Sequence, residues 1–539
     1  MKHAYLSVLL ILVFAISGFA EAKVMTSSDE DEPYPVEKKS DEESEFTFLG
    51  YYFMKYTRSN IAPTNEFLKG QVVGRLYGGN TTRTSEQTSA YSEQRFMPMI
   101  TYTPRLFDGW AKMRMSFEFD WTHGDVNYTA GGNFGGAYGA DVVNMQTQNL
   151  FFELRPQKNL IVNAGLLRFY DNVRVPYYTP VGSLVNKGFR LMLFGSDASG
   201  INVHYSPRQN LHTKLGAYQL YENNVEQDDD VQLFEAMAEY DLDVINTIGF
   251  GAWYVRDHAN GEGGVSILGQ GLNSGLSNYN GVFNFDIGNR DYTADIFWLG
   301  SSFHGNPLLD QGRWGYNGFA FTTLGQVKVA GASDVDVMGF GGSARVAYKY
   351  GRTTNDHIAV DAIFTSGDDD GIDDDTYSGV LTGNNWTSPG ALIFGQGLYM
   401  LTPHGNVVNR YYAAVVDIQN MGYGMTTTAL SAAYDIVPNK LRVKVGGGFG
   451  MANADPSYVM ADNSVIEGGR MIGTEVNLNL RWTMRVFLDL ELHAAYLALG
   501  DFYETPATNG WRDSDPVKLA DQRPEDPWTV FATLRWIMF

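Results

Sequence analysis

Residues 111–122, AKMRMSFEFDWT, alternate without a break between two opposite chemistries. Ala111, Met113, Met115, Phe117, Phe119 and Trp121 are apolar, whereas Lys112, Arg114, Ser116, Glu118, Asp120 and Thr122 are polar or charged. A strand sends successive side chains to opposite faces, so this segment requires a sheet with an apolar medium on one side. The other side must hydrate charges of both signs. A slip of one residue would exchange the two faces completely, which makes the register strongly specified. Just upstream, Phe96, Pro98, Ile100 and Tyr102 form a second alternating run, and Pro104, Asp108 and Gly109 break the chain between the two. The unit reads as a hairpin. A soluble sandwich with a wet outer face satisfies this one stretch equally well, so the rest of the chain has to separate the two readings.

The same unit recurs along the chain. A strand ending at Leu154 turns at Arg155–Lys158 into Leu160, Val162, Ala164 and Leu166, and residues 201–221 turn at Ser206–Asn210. Further hairpins are expected over 234–255, 283–300, 343–364, 429–450 and 475–499. With a first strand beginning at Phe46 and a last from Trp528 to Phe539, these hairpins make a barrel of 18 strands. Strand-like pieces at 319–327 and 411–418 would raise the number to 20 or 22 if they joined it. Long polar connections are expected over 169–197, 257–279, 302–338, 367–424, 451–469 and 499–527. Short turns at one end and long loops at the other are the asymmetry of a transmembrane up-and-down antiparallel β-barrel, with periplasmic turns and extracellular loops.

The start of the chain agrees with export. Lys2, the apolar run Leu6–Phe19 and Ala20-Glu21-Ala22 have the layout of a secretory signal peptide over residues 1–22. Residues 23–45 are expected to be a disordered acidic periplasmic tail, because 29–45 hold nine acidic and two basic side chains. The barrel then occupies 46–539. No other stretch reaches the roughly 18–20 apolar residues a membrane helix needs. The chain has no cysteine, so the sheet itself must supply the stability. A formal charge of -22 argues against a nucleic-acid partner.

With lipid outside, the charged register lines the interior. The expected lining is Lys112, Arg114, Lys214, Arg345, Lys349, Arg442, Lys444 and Arg481 against Glu118, Asp120, Glu235, Glu239, Asp361, Glu475, Asp489 and Glu491, with Asp286 and Asp295 beside them. Only a water-filled interior tolerates that set, and a barrel of this strand number leaves an aqueous channel. The mixed signs predict no strong ion selector. Residues 169–197 carry Arg174, Tyr177, Tyr178, Lys187 and Arg190, follow directly on Arg168, and hold many apolar side chains. Folding into the channel as a constriction loop would bury these; an outer cap or subunit contact would do the same. The acid run 368–375 offers Asp368, Asp370, Asp373 and Asp375 to a Ca²⁺ ion, but it departs from the spacing of a calcium loop and reads more plainly as a solvated turn. Asp489, Glu491 and His493 share a strand face, and lumen lining is the plainer account of them than hydrolysis. No cofactor motif occurs.

The last strand, WTVFATLRWIMF, with Phe539, Ile537 and Phe531, resembles the terminal strand of Gram-negative outer-membrane barrels, and that resemblance implies the barrel-assembly machinery as a partner. The run from Asn163 to Tyr205, with Arg190 in a long loop before GSDASGINVHYSP, resembles porin and alginate-export-type barrels, for which 18 strands are known. The resemblance implies a passive channel surrounded by outer-membrane lipid and lipopolysaccharide. Small hydrophilic solutes or ions are the expected cargo. A polysaccharide or organic-solute channel of the alginate-export type is the alternative, followed by a barrel enzyme or adhesin. The mixed lining differs from the strongly basic one expected for a polyanion.

Overall fold

The computed structural model describes residues 40, 43–60, 72–75, 88–123, 144–168, 171–178, 197–222, 229–260, 290–371, 374–381, 397–402, 410–415, 419–460, 462–508 and 525–539. Residues 1–39 and 41–42 lie outside these.

The sheet is built from β1 (Phe46–Ser59), β2 (Ser89–Tyr102), β3 (Ala111–His123), β4 (Asn144–Gln157), β5 (Leu160–Arg168), β6 (Asp197–Arg208), β7 (Leu211–Tyr221), β8 (Val231–Asp241) and β9 (Asn246–Asp257). It continues through β10 (Tyr292–Gly305), β11 (Trp314–Val329), β12 (Val335–Lys349), β13 (His357–Thr365), β14 (Met425–Val437), β15 (Leu441–Met451), β16 (Met471–Arg485), β17 (Leu488–Leu499) and β18 (Trp528–Met538). Each strand pairs antiparallel with its neighbours in the chain, and β1 pairs with both β2 and β18, from Gly50 opposite Met538 to Ser59 opposite Thr529. The ring is therefore closed at 18 strands. Closure leaves no unpaired edge, which is the condition for a sheet to sit in hydrocarbon.

One member of the ring differs from expectation although the number does not. The hairpin expected over 283–300 is instead β10–β11, turning at 306–313, so the long loop expected over 302–338 is mostly strand. Residues 283–289 lie outside the described ones. The alternation is hard to see in β11 because Phe319, Phe321 and Val327 point inward and are buried alongside Asn317 and Thr323, which breaks up the polar half of the pattern. The piece Arg410–Ala413 lies outside the ring, in a short parallel pair with Val72–Arg75.

The two faces separate cleanly. Phe152, Phe250, Phe297, Phe340, Val445, Val476, Trp482, Leu492, Val530 and Trp536 are exposed on the outer face, while the polar register is buried on the inner one. In β18 the outward set is Val530, Leu534 and Trp536, and Thr533 and Arg535 point inward. Asp295 is a correction. It stands in the outward register of β10 opposite Arg256 and accepts a hydrogen bond from the Tyr254 hydroxyl. Near a strand end, an aromatic ring with a polar tip lets a carboxylate face outward.

Gly165 is required where β5 crosses β4. Its φ is 136°, and a Cβ there would meet the Leu150 carbonyl oxygen at 2.5 Å. At the turn end, Arg105 gathers the last residues of the acidic tail: its backbone N–H donates to Glu45 Oε1 (2.7 Å) and its side chain to the Ser40 and Glu43 carbonyls (3.0 and 2.5 Å). Ser40, Glu43 and Glu45 are thus bound to the barrel base.

Candidate functional site

The inner wall concentrates the chain's ionisable groups. Along β3 and β4, Lys112, Arg114, Glu118 and Glu153 are all at most 6 % exposed. Buried charges are tolerable only when paired and hydrogen-bonded or wetted, and most of these are paired. Arg114 Nε donates to Glu153 Oε2 at 2.8 Å, and Arg95 pairs with Glu118. Lys214 lies 2.8 Å from Glu235, which also accepts the Tyr218 hydroxyl. Arg345 Nη1 reaches both oxygens of Asp361 at 2.9 Å, and Lys349 Nζ donates to the Leu309 carbonyl at 2.7 Å. On β16–β18, Arg481 donates to Asp489 at 2.6 Å, and Glu491 is shared by Arg535 and by His493 at 2.8 Å. Glu491 and His493 are thereby engaged in an ion network, and Phe531 stacks on the His493 ring at 4.3 Å.

Two cations stand apart. Arg442 donates to Asn479 Oδ1 at 3.1 Å, and among the described residues neither Arg442 nor Lys444 makes an ion pair. They follow one another on the inward face of β15.

The segment after β5 turns into the barrel. Asp171, Asn172, Val173 and Val175 are at most 3 % exposed, and the Val173 carbonyl lies 3.0 Å from His204 Nδ1 on β6. Arg174 reaches β8, where Nε donates to Glu239 (2.8 Å) and Nη2 to Asp241 (2.9 Å). Burial works against the Arg174 charge, but those two carboxylates hold its pKa above the ordinary value. Tyr178 bridges to β3 and β4: its hydroxyl donates to Glu153 and accepts from Arg114 at 2.9 Å, while Lys112 lies 3.4 Å away. Burial first, and the Glu153 carboxylate second, push that hydroxyl well above its usual range, so it remains a donor. Arg114 also lies 4.3 Å from the Tyr177 ring centroid. Of the six residues expected in this loop, Arg174, Tyr177 and Tyr178 are brought onto the wall; Lys187 and Arg190 lie outside the described residues, as do the side chains of Arg168 and Asp120.

Two more loop segments enter from the same end. Leu381 accepts the Trp298 indole N–H at 3.0 Å, and Thr376–Tyr377 pair parallel with β12. Residues 397–402 pack on β14–β17, where Leu398, Met400 and Leu401 are at most 2 % exposed. Asp368 uses its carboxylate to cap its own turn, accepting Gly371 N at 2.6 Å and Ser378 N at 2.7 Å. Asp370 and Asp375 are exposed and Asp373 lies outside the described residues; among the described residues the three acids whose carboxylate oxygens come within 4.8 Å of one another are instead Glu222, Asp229 and Asp230.

Several inward residues escape the first reading of the sequence, namely Lys55, Glu93, Arg95, Glu153, His204 and Arg535. The signal was present, since each shares the register of an apolar-alternating strand. Extending the alternation through β1, β2, β4, β6 and β18 finds them.

No protein-family model matches the chain, and no curated protein does. Among solved structures, it is similar to a BenF-like porin from Pseudomonas fluorescens Pf-5 (11 % identity, 92 % of this chain and 98 % of that one, TM-score 0.45). It is also similar to the outer-membrane protein OprD from Pseudomonas aeruginosa (12 %, 96 % and 97 %, 0.46) and to OpdL from Pseudomonas aeruginosa (10 %, 92 % and 98 %, 0.46).

Proposed function

We propose that the chain is an outer-membrane porin, through which small hydrophilic solutes or ions diffuse down their gradients. One observation carries this reading: a closed 18-strand ring bears exposed large apolar side chains outward and paired charges inward. A soluble barrel around an apolar core would invert these faces. Lipid satisfies the outer face; inside, loop residues such as Tyr377, Val380 and Leu381 cover the apolar patch on β8–β12, and water and polar solutes satisfy the charged remainder.

In this reading the inward Lys, Arg, Asp and Glu residues line the pore, and the 171–178 segment narrows it from the wall of β3–β8. The leader over 1–22 directs export, and the barrel resides in the outer membrane with its turns toward the periplasm. Arg442 and Lys444, which make no ion pair among the described residues, add positive potential on one side of the lining. Fields of this kind orient solutes rather than select strongly between them.

The test is single-channel conductance of the refolded mature protein in a planar bilayer under a salt gradient. Stable steps are expected. A folded barrel that produces none in wild-type or loop-opened form overturns the porin.

A further inference from the structure

The carboxylate of Glu475 is fully buried on the inner face of β16. Its acceptor sites are filled from one place. Tyr399 N donates to Oε1 at 2.7 Å, and Met400 N and Leu401 N donate to Oε2 at 2.9 and 2.7 Å. Three consecutive backbone N–H groups converging on one anion form a nest, an arrangement that binds a carboxylate strongly. Asn477, two residues along the same face, completes the seat: its Nδ2 donates to Glu475 Oε1 at 2.8 Å and to the Gly397 carbonyl at 2.7 Å. Gly397 has φ +74°, which lets the segment turn against the wall. Beyond the nest, Ala414 N and Val415 N donate to the Met400 and Leu401 carbonyls at 2.8 and 3.0 Å.

We infer that Glu475 is the positioning residue that holds residues 397–402 as an inner plug and thereby sets the open cross-section of the channel. This rests on the porin reading above. The choice of residue is informative. An apolar side chain would seat Leu398, Met400 and Leu401 as well, but its seat would resist wetting once vacated. A carboxylate is satisfied by the nest when the plug is in place and by water when it has left. The wall therefore has two hydrogen-bonded states, and the apolar contacts of Met400, Leu401, Val415 and Phe502 bias the equilibrium toward the seated one.

The variants are full-length barrels checked for folding by heat-modifiable gel mobility. In Glu475→Gln the side-chain NH₂ opposes the nest with a donor, so the plug loses its anchor. The expected result is a step conductance at least about twofold above wild type, with Glu475→Asp in between. Because the chain has no cysteine, a single disulfide can be added cleanly. A Cβ on Gly397 would lie 3.7 Å from that of Ser431, within the span a disulfide bridges, and 2.8 Å from the mobile end of Lys444; a cysteine at φ +74° is strained, so the same pair in the Glu475 background is the reference. Adding Gly397→Cys and Ser431→Cys to Glu475→Gln should return the conductance to that of the reference pair when oxidised and release it when reduced, a readout that a merely structural role would not move. Should Glu475→Gln not fold, amide exchange on the wild type decides: protected Tyr399, Met400 and Leu401 amides support the latch, and exchange at open-loop rates overturns it. Conduction by wild type that is unchanged in Glu475→Gln overturns the latch alone. A barrel silent as wild type and as Glu475→Gln defeats the porin with it.

Discussion

Arg174 Nε donates to Glu239 Oε1 across 2.8 Å, joining the segment that enters the barrel after β5 to the wall of β8. Its Nη2 reaches Asp241 as well, and Asp241 lies 3.3 Å from His212. The pair is part-buried, so its worth lies between that of a surface and a core ion pair. A double-mutant cycle of Arg174→Ala and Glu239→Ala should give a coupling of about 1–3 kcal/mol. Urea unfolding followed by tryptophan fluorescence measures it, and additive single variants would show that the segment is held by its apolar residues instead.

Tyr178→Phe removes the hydroxyl shared by Glu153, Arg114 and Lys112. Glu153 keeps Arg114 as its partner, so the expected destabilisation is about 1–3 kcal/mol, the cost of one lost hydrogen bond to a buried charge. Open-channel current noise should rise as the segment loosens. Quiet channels of wild-type stability would place Tyr178 away from any constraining role.

Lys444→Met and Arg345→Gln should behave differently. Lys444 has no acidic partner among the described residues, so its loss strands no carboxylate, and stability should stay within about 0.5 kcal/mol of wild type. Arg345→Gln leaves Asp361 without its ion-pair partner on the wetted wall and should cost about 1–3 kcal/mol. Both should move the reversal potential toward cation preference. An unmoved potential in Lys444→Met would remove β15 from the conducting surface.

The turn 350–356 supplies a pH dependence. Burial alone would raise the Asp356 carboxyl, but the backbone N–H groups of Asp435, Thr353 and Arg352 hold it below its ordinary value. A depressed folded pKa contributes stability that is fully present above the unfolded value and is lost as pH falls through the folded one. Thermal stability should therefore drop below about pH 4 more steeply in wild type than in Asp356→Asn. At neutral pH the substitution should cost about 1.5–3 kcal/mol. Parallel melting curves for the two proteins across pH 7 to 3 would refute this account.

Gly165→Ala places a methyl 2.5 Å from a backbone oxygen at a φ of 136°. Neither strand can yield without breaking pairing between β4 and β5. A loss of about 3 kcal/mol or more is expected, read as a failure to reach the folded, heat-modifiable band.

Much of this molecule was determined by local pattern. The alternation in β3, β15, β16 and β17 specifies which side chains face lipid, because a strand's period of two is a property of neighbouring residues. Short turns at Lys158–Asn159 and Gln209–Asn210 forced antiparallel neighbours, and a closed ring of 18 followed. Where the alternation failed, tertiary structure decided. The Phe319, Phe321 and Val327 side of β11 is apolar because loop segments cover it, so its strand character is visible only once those segments are seated. Asp295 carries charge yet faces outward, since Tyr254 and Arg256 lie beside it across the pair. Above all, the partners of Arg174, Tyr178 and Glu475 lie tens of residues away in the chain. Which backbone N–H groups reach a buried carboxylate depends on how a loop packs against a closed wall, and no local periodicity encodes that contact.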